Sequence, residues 1–191
     1  MALPLIAAGI ALGAAVLHES NKKHYKNLEK YRKFSDLNDI DRNKVAKAPS
    51  DRYCRSHLVE PRPGSLVCCE VYNFLDHTGI WIDEDTIIEL SNSGLVKAVS
   101  ASRFLSERSG KNIFVACDKN HTPIVIDGCA DRAVAQIFSY REYDLVENNC
   151  HRFVHYCLTG RDIKISRFAS LNEKLLNLVD HSIFWDRVKY Y

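Results

Sequence analysis

The sequence predicts an α+β domain, because two kinds of hydrophobic periodicity occupy separate parts of the chain. Between residues 65 and 117, apolar residues alternate or form short β-prone runs, which is typical of strands. From residue 131 onward, apolar residues recur every three or four positions, which indicates amphipathic helices. A run of strands followed by a run of helices is typical of α+β folds, so we expect an antiparallel sheet packed on helices.

The strand pattern occurs in five segments, which are residues 65–71, 77–82, 86–90, 95–99 and 113–117. The acidic turn Asp83-Glu84-Asp85 separates the second segment from the third and predicts a hairpin. A short helix is expected near residues 102–107, between the last two strands.

Three helices are predicted in the second half of the chain. The first covers residues 131–143 with Asp131 as its cap, and the second begins at Asn149 or Cys150 and stops at Gly160. A capping-box pattern at residues 170–173 begins the third, whose apolar face continues to Trp185. Residues 166–191 are therefore expected to form a C-terminal amphipathic helix.

The N-terminal residues 1–17 form a hydrophobic segment that carries no charged side chain. The first lysines, Lys22 and Lys23, follow this segment, which favours a membrane anchor with the rest of the chain facing the cytoplasm. Its length is at the lower limit for a span, so a buried N-terminal helix or a hairpin inserted in one leaflet remains open. Gly9 and Gly13 would let two such helices pack closely, which leaves a homo-oligomer open as well.

Residues 18–53 have the composition of a basic, polar helical linker, which leads to a catalytic domain expected at residues 54–165. Basic residues next to a membrane segment are attracted to anionic headgroups, although a solvated connecting helix explains them equally well. The formal net charge of the chain is only +2, which argues against nucleic acid as a partner.

The chain contains seven cysteines, an odd number, and no C-x-x-C motif. This pattern fits neither a disulfide framework nor a zinc ribbon, so we expect a reducing compartment and predict neither a metal nor a cofactor. His151 and His155 have a spacing suitable for metal ligands, but the sequence offers no evident third ligand.

Cys150 is the candidate nucleophile. Two asparagines precede it and an amphipathic helix follows, and a position at a helix start lowers the pKa of a thiol. The alternative is a core cysteine like Cys157, one heptad later. His77 heads an alternating strand and would be its base, if the fold brings the two together.

Three segments, Pro63–Val67, His77–Trp81 and Asn149–Val154, resemble motifs of the lecithin:retinol acyltransferase family and follow one another in the same order as in that family. His77-Thr78-Gly79-Ile80-Trp81 is similar to the family's His-x-Gly-Ile-Tyr/Trp strand, and Asn149–Val154 is similar to its Asn-Cys-Glu-His-Phe-Val box. Pro63–Val67 resembles the Pro-Gly-Asp-Leu motif that precedes them. The resemblance covers roughly residues 60–162 and implies a permuted papain-like fold of the NlpC type.

By position, the resemblance implies Cys150 as the catalytic nucleophile, His77 as the general base and Glu89 as the third residue. The family often has a histidine at this third position, and a carboxylate there can orient the imidazole. His151 is expected to point about 100 degrees away from the thiol and to take no part in the mechanism.

The implied activity is a thiol-dependent acyltransferase or phospholipase A-type lipid hydrolase, which forms a thioester with a lipid or acyl substrate. Such an enzyme would be membrane-associated through its N-terminal segment. Two alternatives remain: a cysteine peptidase or amidase of the NlpC type, which Glu89 favours, and a non-catalytic binding or regulatory protein with the same fold.

Overall fold

The sheet and its helices come from three stretches of the chain. The computed structural model describes residues 58–71, 75–106 and 108–189. The predicted anchor at residues 1–17 and the predicted linker at residues 18–53 lie outside these stretches. Within them, no helix combines the length and hydrophobicity that crossing a bilayer requires.

Seven strands of the described chain form one mixed sheet in the order β1-β7-β6-β2-β3-β4-β5. The strands are β1 (Leu58–Val59), β2 (Leu66–Val71), β3 (Leu75–Asp83), β4 (Thr86–Leu90), β5 (Val96–Val99), β6 (Phe114–Cys117) and β7 (Phe184–Val188). All neighbours are antiparallel except β1 and β7, which run parallel. The predicted α+β class is confirmed, and the expectation of a wholly antiparallel sheet is wrong at this one edge, where a long connection permits a parallel pair.

Helices pack on both faces of the sheet. The described residues contain α1 (Ala101–Leu105), α2 (Cys129–Val134), α3 (Cys150–Thr159) and α4 (Phe168–Leu178). Buried side chains of α2, α3 and α4 join one cluster with Leu66, Ile80 and Ile88 of the sheet. The opposite face has its own buried cluster, in which Phe104 of α1 meets Trp81 and Ile87. The sheet is therefore a rigid layer between two apolar cores.

The helix predicted over residues 131–143 is wrong in length, because it begins at Cys129 and ends at Val134. The backbone beyond it pairs with the edge strand β5: the Phe138 amide donates to the Val96 carbonyl, and the Val96 amide donates to the Ser139 carbonyl. Phe138 adopts a φ of 66°, which no helix allows. These bonds take the backbone groups that a longer helix would use.

The C-terminal helix predicted over residues 166–191 is wrong in its second half. Helix α4 begins at Phe168, before the predicted capping box, and Trp185 lies in strand β7 of the main sheet. The Trp185 ring packs against Phe168 with centroids 5.1 Å apart, and its Nε1 donates to Asn172 at 3.0 Å. The folded domain thus continues past residue 165 to Val188.

Candidate active site

Cys150 is the first residue of α3, because Asn149 caps this helix. Asn149 has extended backbone angles, and its Oδ1 accepts the amides of His151 at 3.0 Å and Arg152 at 3.1 Å. Gly160, with a φ of 71°, ends the helix as predicted. The Cys150 side chain is therefore held at the positive end of the helix dipole.

His77 and Glu89 meet across the pairing of β3 with β4. His77 Nε2 lies 2.7 Å from Glu89 Oε2, and both side chains are buried. The close approach of the two strands depends on Gly79, where a Cβ would lie only 2.7 Å from Ile87 Cγ2 and 3.0 Å from the Ile88 carbonyl oxygen. The hairpin therefore builds a histidine–carboxylate pair from residues twelve positions apart.

Glu89 is also the centre of a cluster of positive charge. Arg108 donates to Glu89 Oε2 at 2.8 Å, and Lys97 Nζ lies 3.5 Å from Oε1. Burial alone would raise the pKa of this carboxyl, but the hydrogen bond and charge of His77, together with Arg108, lower it to about 2. Glu89 is thus ionised across the physiological range and can stabilise a charged His77 ring.

The Cys150 thiol has an ionisation unlike that of a core cysteine. Burial alone would raise its pKa, but the charges of His151 and His77 and hydrogen bonds from both rings bring it well below its ordinary value. Burial would in turn lower the His77 pKa, whereas the Cys150 thiolate and Glu89 raise it. The favoured state is a thiolate beside a protonated imidazole, which is the reactive form of a nucleophilic cysteine.

The other described cysteines have the opposite ionisation. Burial raises the pKa of the thiols of Cys69 and Cys129 to about 12 and also raises those of Cys68, Cys117 and Cys157. Cys157 lies on the same helix as Cys150, so helix membership alone does not activate a thiol. The difference is the position at the helix start beside two histidines.

The structure brings the three predicted site residues, Cys150, His77 and Glu89, into one cluster. The prediction that His151 points away from the thiol is wrong, because its Nδ1 lies 3.8 Å from Cys150 Sγ. The His151 ring is held in this position by contacts with Thr78 of β3 and Phe168 of α4, which helical geometry alone does not show.

Sequence reasoning missed two residues that touch the cluster. Arg108 lies in a polar segment with no recognisable spacing, and its partner Glu89 is 19 residues away, so no local signal could have identified it. Thr78 Oγ1 lies 3.2 Å from His151 Nδ1. The sequence did carry a signal for Thr78. It directly follows His77 in strand β3, so its side chain points to the opposite face of the sheet from that of His77.

No group of three or more metal-ligating side chains is arranged for an ion in the part of the chain that the structure describes. The two histidines with metal-ligand spacing have separate partners. His151 contacts the thiol and Thr78, whereas His155 Nδ1 lies 3.1 Å from the Arg161 carbonyl oxygen.

Replacing Glu89 with glutamine is expected to remove a pH-dependent part of the free energy of unfolding. The folded pKa of about 2 is below the ordinary value of 4.5, so the stabilisation is complete above about pH 4.5 and is lost as the pH falls toward 2. The stability advantage of the wild type over Glu89→Gln should therefore shrink across this interval. Urea unfolding at a series of pH values measures it.

The matched control is Glu84→Gln, which removes an exposed carboxylate from the turn between β3 and β4. If both variants differ from the wild type by the same pH-dependent amount, the effect does not come from the contacts of Glu89 with His77 and Arg108.

Comparisons with known proteins agree with this geometry. The family model described as lecithin retinol acyltransferase matches residues 59–163, more than half of the chain. Phospholipase A and acyltransferase 5 of Rattus norvegicus is 24% identical over 111 residues. That alignment covers 50% of this chain but only 38% of the rat protein, so the chain spans well under two thirds of this relative.

A cysteine at a helix start beside a histidine–carboxylate pair is the arrangement of a cysteine–histidine site, and here an α+β domain carries it. The chain belongs to the lecithin retinol acyltransferase family. The family resemblance noted in the sequence is thereby confirmed.

Proposed function

We propose that the protein is a thiol-dependent acyltransferase or phospholipase A-type lipid hydrolase that acts through a thioester on Cys150. The observation that carries this proposal is the buried Cys150 thiol, whose pKa is lowered beside His77 while His77 hydrogen-bonds Glu89 at 2.7 Å. The name of the rat relative describes both activities, phospholipase A and acyltransferase.

In the first half-reaction, the Cys150 thiolate attacks the carbonyl carbon of a lipid ester. The acyl C–O bond breaks, and the departing alkoxide takes the proton that His77 holds. Nε2 of His77 is hydrogen-bonded to Glu89, so Nδ1 is the ring nitrogen that transfers this proton. Glu89 keeps the ring oriented and stabilises its charge, without itself becoming protonated.

The oxyanion of the tetrahedral intermediate needs a donor at the helix start. The amides of His151 and Arg152 both donate to Asn149 Oδ1, so these two amides are not available to the oxyanion. We assign this role to the Cys150 amide, because an N–H group in the first turn of a helix has no partner within the helix.

In the second half-reaction, water or an acceptor lipid attacks the thioester, and His77 takes the proton of the acceptor. Thiolate leaves and the resting site is restored, so the kinetics are ping-pong.

The strand that carries His77 precedes the helix that carries Cys150 in the chain, which is the order expected for a permuted papain-like fold. The same proposal includes contact with a membrane through residues 1–17, because the proposed substrate is a lipid. Lys22 and Lys23, which follow that segment, favour the cytoplasmic side for this domain.

The proposal is tested by trapping the thioester. Protein mixed with phosphatidylcholine vesicles and quenched in acid should gain the mass of one acyl chain, and peptide mapping should place it on Cys150. The matched control is Cys157→Ala, which removes a buried thiol from the same helix and should leave the adduct in place. An adduct on another cysteine, or none on a folded protein, contradicts the proposal.

A second candidate function is amide hydrolysis, because the carboxylate of Glu89 occupies the third position instead of a histidine. The two candidates share the nucleophile and differ in substrate. Release of an amine from peptide or N-acyl substrates, together with no transfer from phospholipid, would favour a cysteine amidase. A Cys150 that acylates from neither substrate would favour the non-catalytic binding protein.

A further inference from the structure

His151 is held against the reacting sulfur from two sides. Its Nδ1 lies 3.8 Å from Cys150 Sγ and 3.2 Å from Thr78 Oγ1 of strand β3. Its ring packs on Phe168 of α4 with centroids 5.8 Å apart, and only 7% of the residue is exposed. The imidazole therefore has a fixed place beside the thiol and does not depend on a mobile side chain.

His151 and His77 reach the thiol from different elements. His151 follows Cys150 on α3 and is anchored by Thr78, whereas His77 is anchored by Glu89 of β4. Because successive side chains of a strand point to opposite faces, the two anchoring contacts lie on opposite sides of β3. Each imidazole thus has its own supporting contact.

Two titratable groups share the surroundings of the His151 ring. The titratable groups that face it are the Cys150 thiol on its own helix and the partly buried Asp76 carboxyl on β3. Burial raises the pKa of Asp76 to about 7, against the opposing effect of His151. The charges of His151 and His77 both lower the Cys150 pKa, and that of His151 has the larger effect.

We propose that His151 is a second catalytic imidazole of this site, whose Nδ1 stabilises the Cys150 thiolate while His77 transfers protons. This inference rests on the proposed thioester chemistry. During acylation the Sγ–C bond forms, the C–O bond breaks, and the proton of His77 goes to the leaving alkoxide. His151 transfers no proton, and its contact with the sulfur stabilises the thiolate before attack and again when the thioester is cleaved.

The test is the pH dependence of Cys150 alkylation by iodoacetamide, measured on the Cys150 peptide by mass spectrometry between pH 5 and pH 9. His151→Asn removes the imidazole and keeps a polar side chain. We expect its midpoint to move up by about one pH unit, with labelling about tenfold slower than in the wild type at any pH below the wild-type midpoint. Thr78→Val should move the midpoint in the same direction by a smaller amount.

The matched control is His155→Asn, which removes another buried histidine one turn further along α3. Its Nδ1 contacts the Arg161 carbonyl oxygen and not the thiol, so its alkylation curve should coincide with that of the wild type. A purely structural role of His151 would lower labelling or turnover equally at every pH. The proposed role predicts that the difference in labelling narrows as the pH rises above the shifted midpoint.

An unchanged alkylation midpoint in folded His151→Asn overturns the inference. If His151→Asn does not fold, Thr78→Val replaces it as the deciding variant, and an unchanged midpoint there has the same meaning. A shifted midpoint in a protein that forms no thioester with phospholipid would leave this inference standing and overturn the proposed function. The two proposals can therefore fail separately.

Discussion

Cys150→Ala should abolish acyl transfer, with kcat/KM falling on the order of 10⁴-fold or more. The reason is that alanine removes the atom that carries the acyl group in the proposed mechanism. The other described cysteines have raised pKa values that make them poor nucleophiles. The measurement is release and transfer of a labelled acyl chain from phosphatidylcholine vesicles under steady-state conditions.

The same experiment tests whether the residues act as a unit. His77→Ala should lower kcat/KM by about 10²- to 10⁴-fold, the usual range for loss of a general acid–base. If His77 acts only through Cys150, the double variant should be no slower than Cys150→Ala alone. A double variant with additive losses would mean that His77 serves another reaction path, and full activity in Cys150→Ala would refute the nucleophile itself.

Phe153→Ala should lower the free energy of unfolding by about 3–5 kcal/mol. Phe153 is fully buried in the middle of α3, within the cluster that joins this helix to the sheet. The guanidinium of Arg141 also lies over its ring, 5.6 Å from the centroid. Truncation would leave a cavity under the helix that carries the thiol. Chemical denaturation followed by circular dichroism measures the loss.

Phe138→Ala is the matched control, since it makes the same chemical change at a side chain that is 83% exposed. Its effect should stay within about 0.5 kcal/mol. Equal losses in the two variants would mean that burial at Phe153 is not what stabilises α3.

The strands near the site could be predicted because their signals are local. Alternation at residues 77–82 and the acidic turn after it are visible in a short window, and the hairpin of β3 and β4 follows from them. The helix start at Cys150 was equally local, because an asparagine cap and a glycine stop lie within one short segment. Both predictions succeeded where one stretch of chain determines its own structure.

The remaining features depend on contacts between distant segments. Strand β7 was read as helix because Trp185 continues an apolar helical spacing, and only its pairing with β1 and β6 decides otherwise. Burial of Asp186 in this strand also breaks the alternation that would have marked it. The position of His151 depends on Thr78 and Phe168, which lie on other elements.

The separation of His77 and Glu89 from Cys150 along the chain has a consequence for biosynthesis. The histidine–carboxylate pair lies in one hairpin of neighbouring strands, so it can form early through short-range contacts. The thiol arrives about 60 residues later, and the last strand of the sheet later still. During translation, His77 and Glu89 therefore leave the ribosome before Cys150. The nascent chain carries Cys150 as an ordinary thiol until α3 packs on the sheet. The lowered pKa of the Cys150 thiol is therefore a property that only the completed domain acquires.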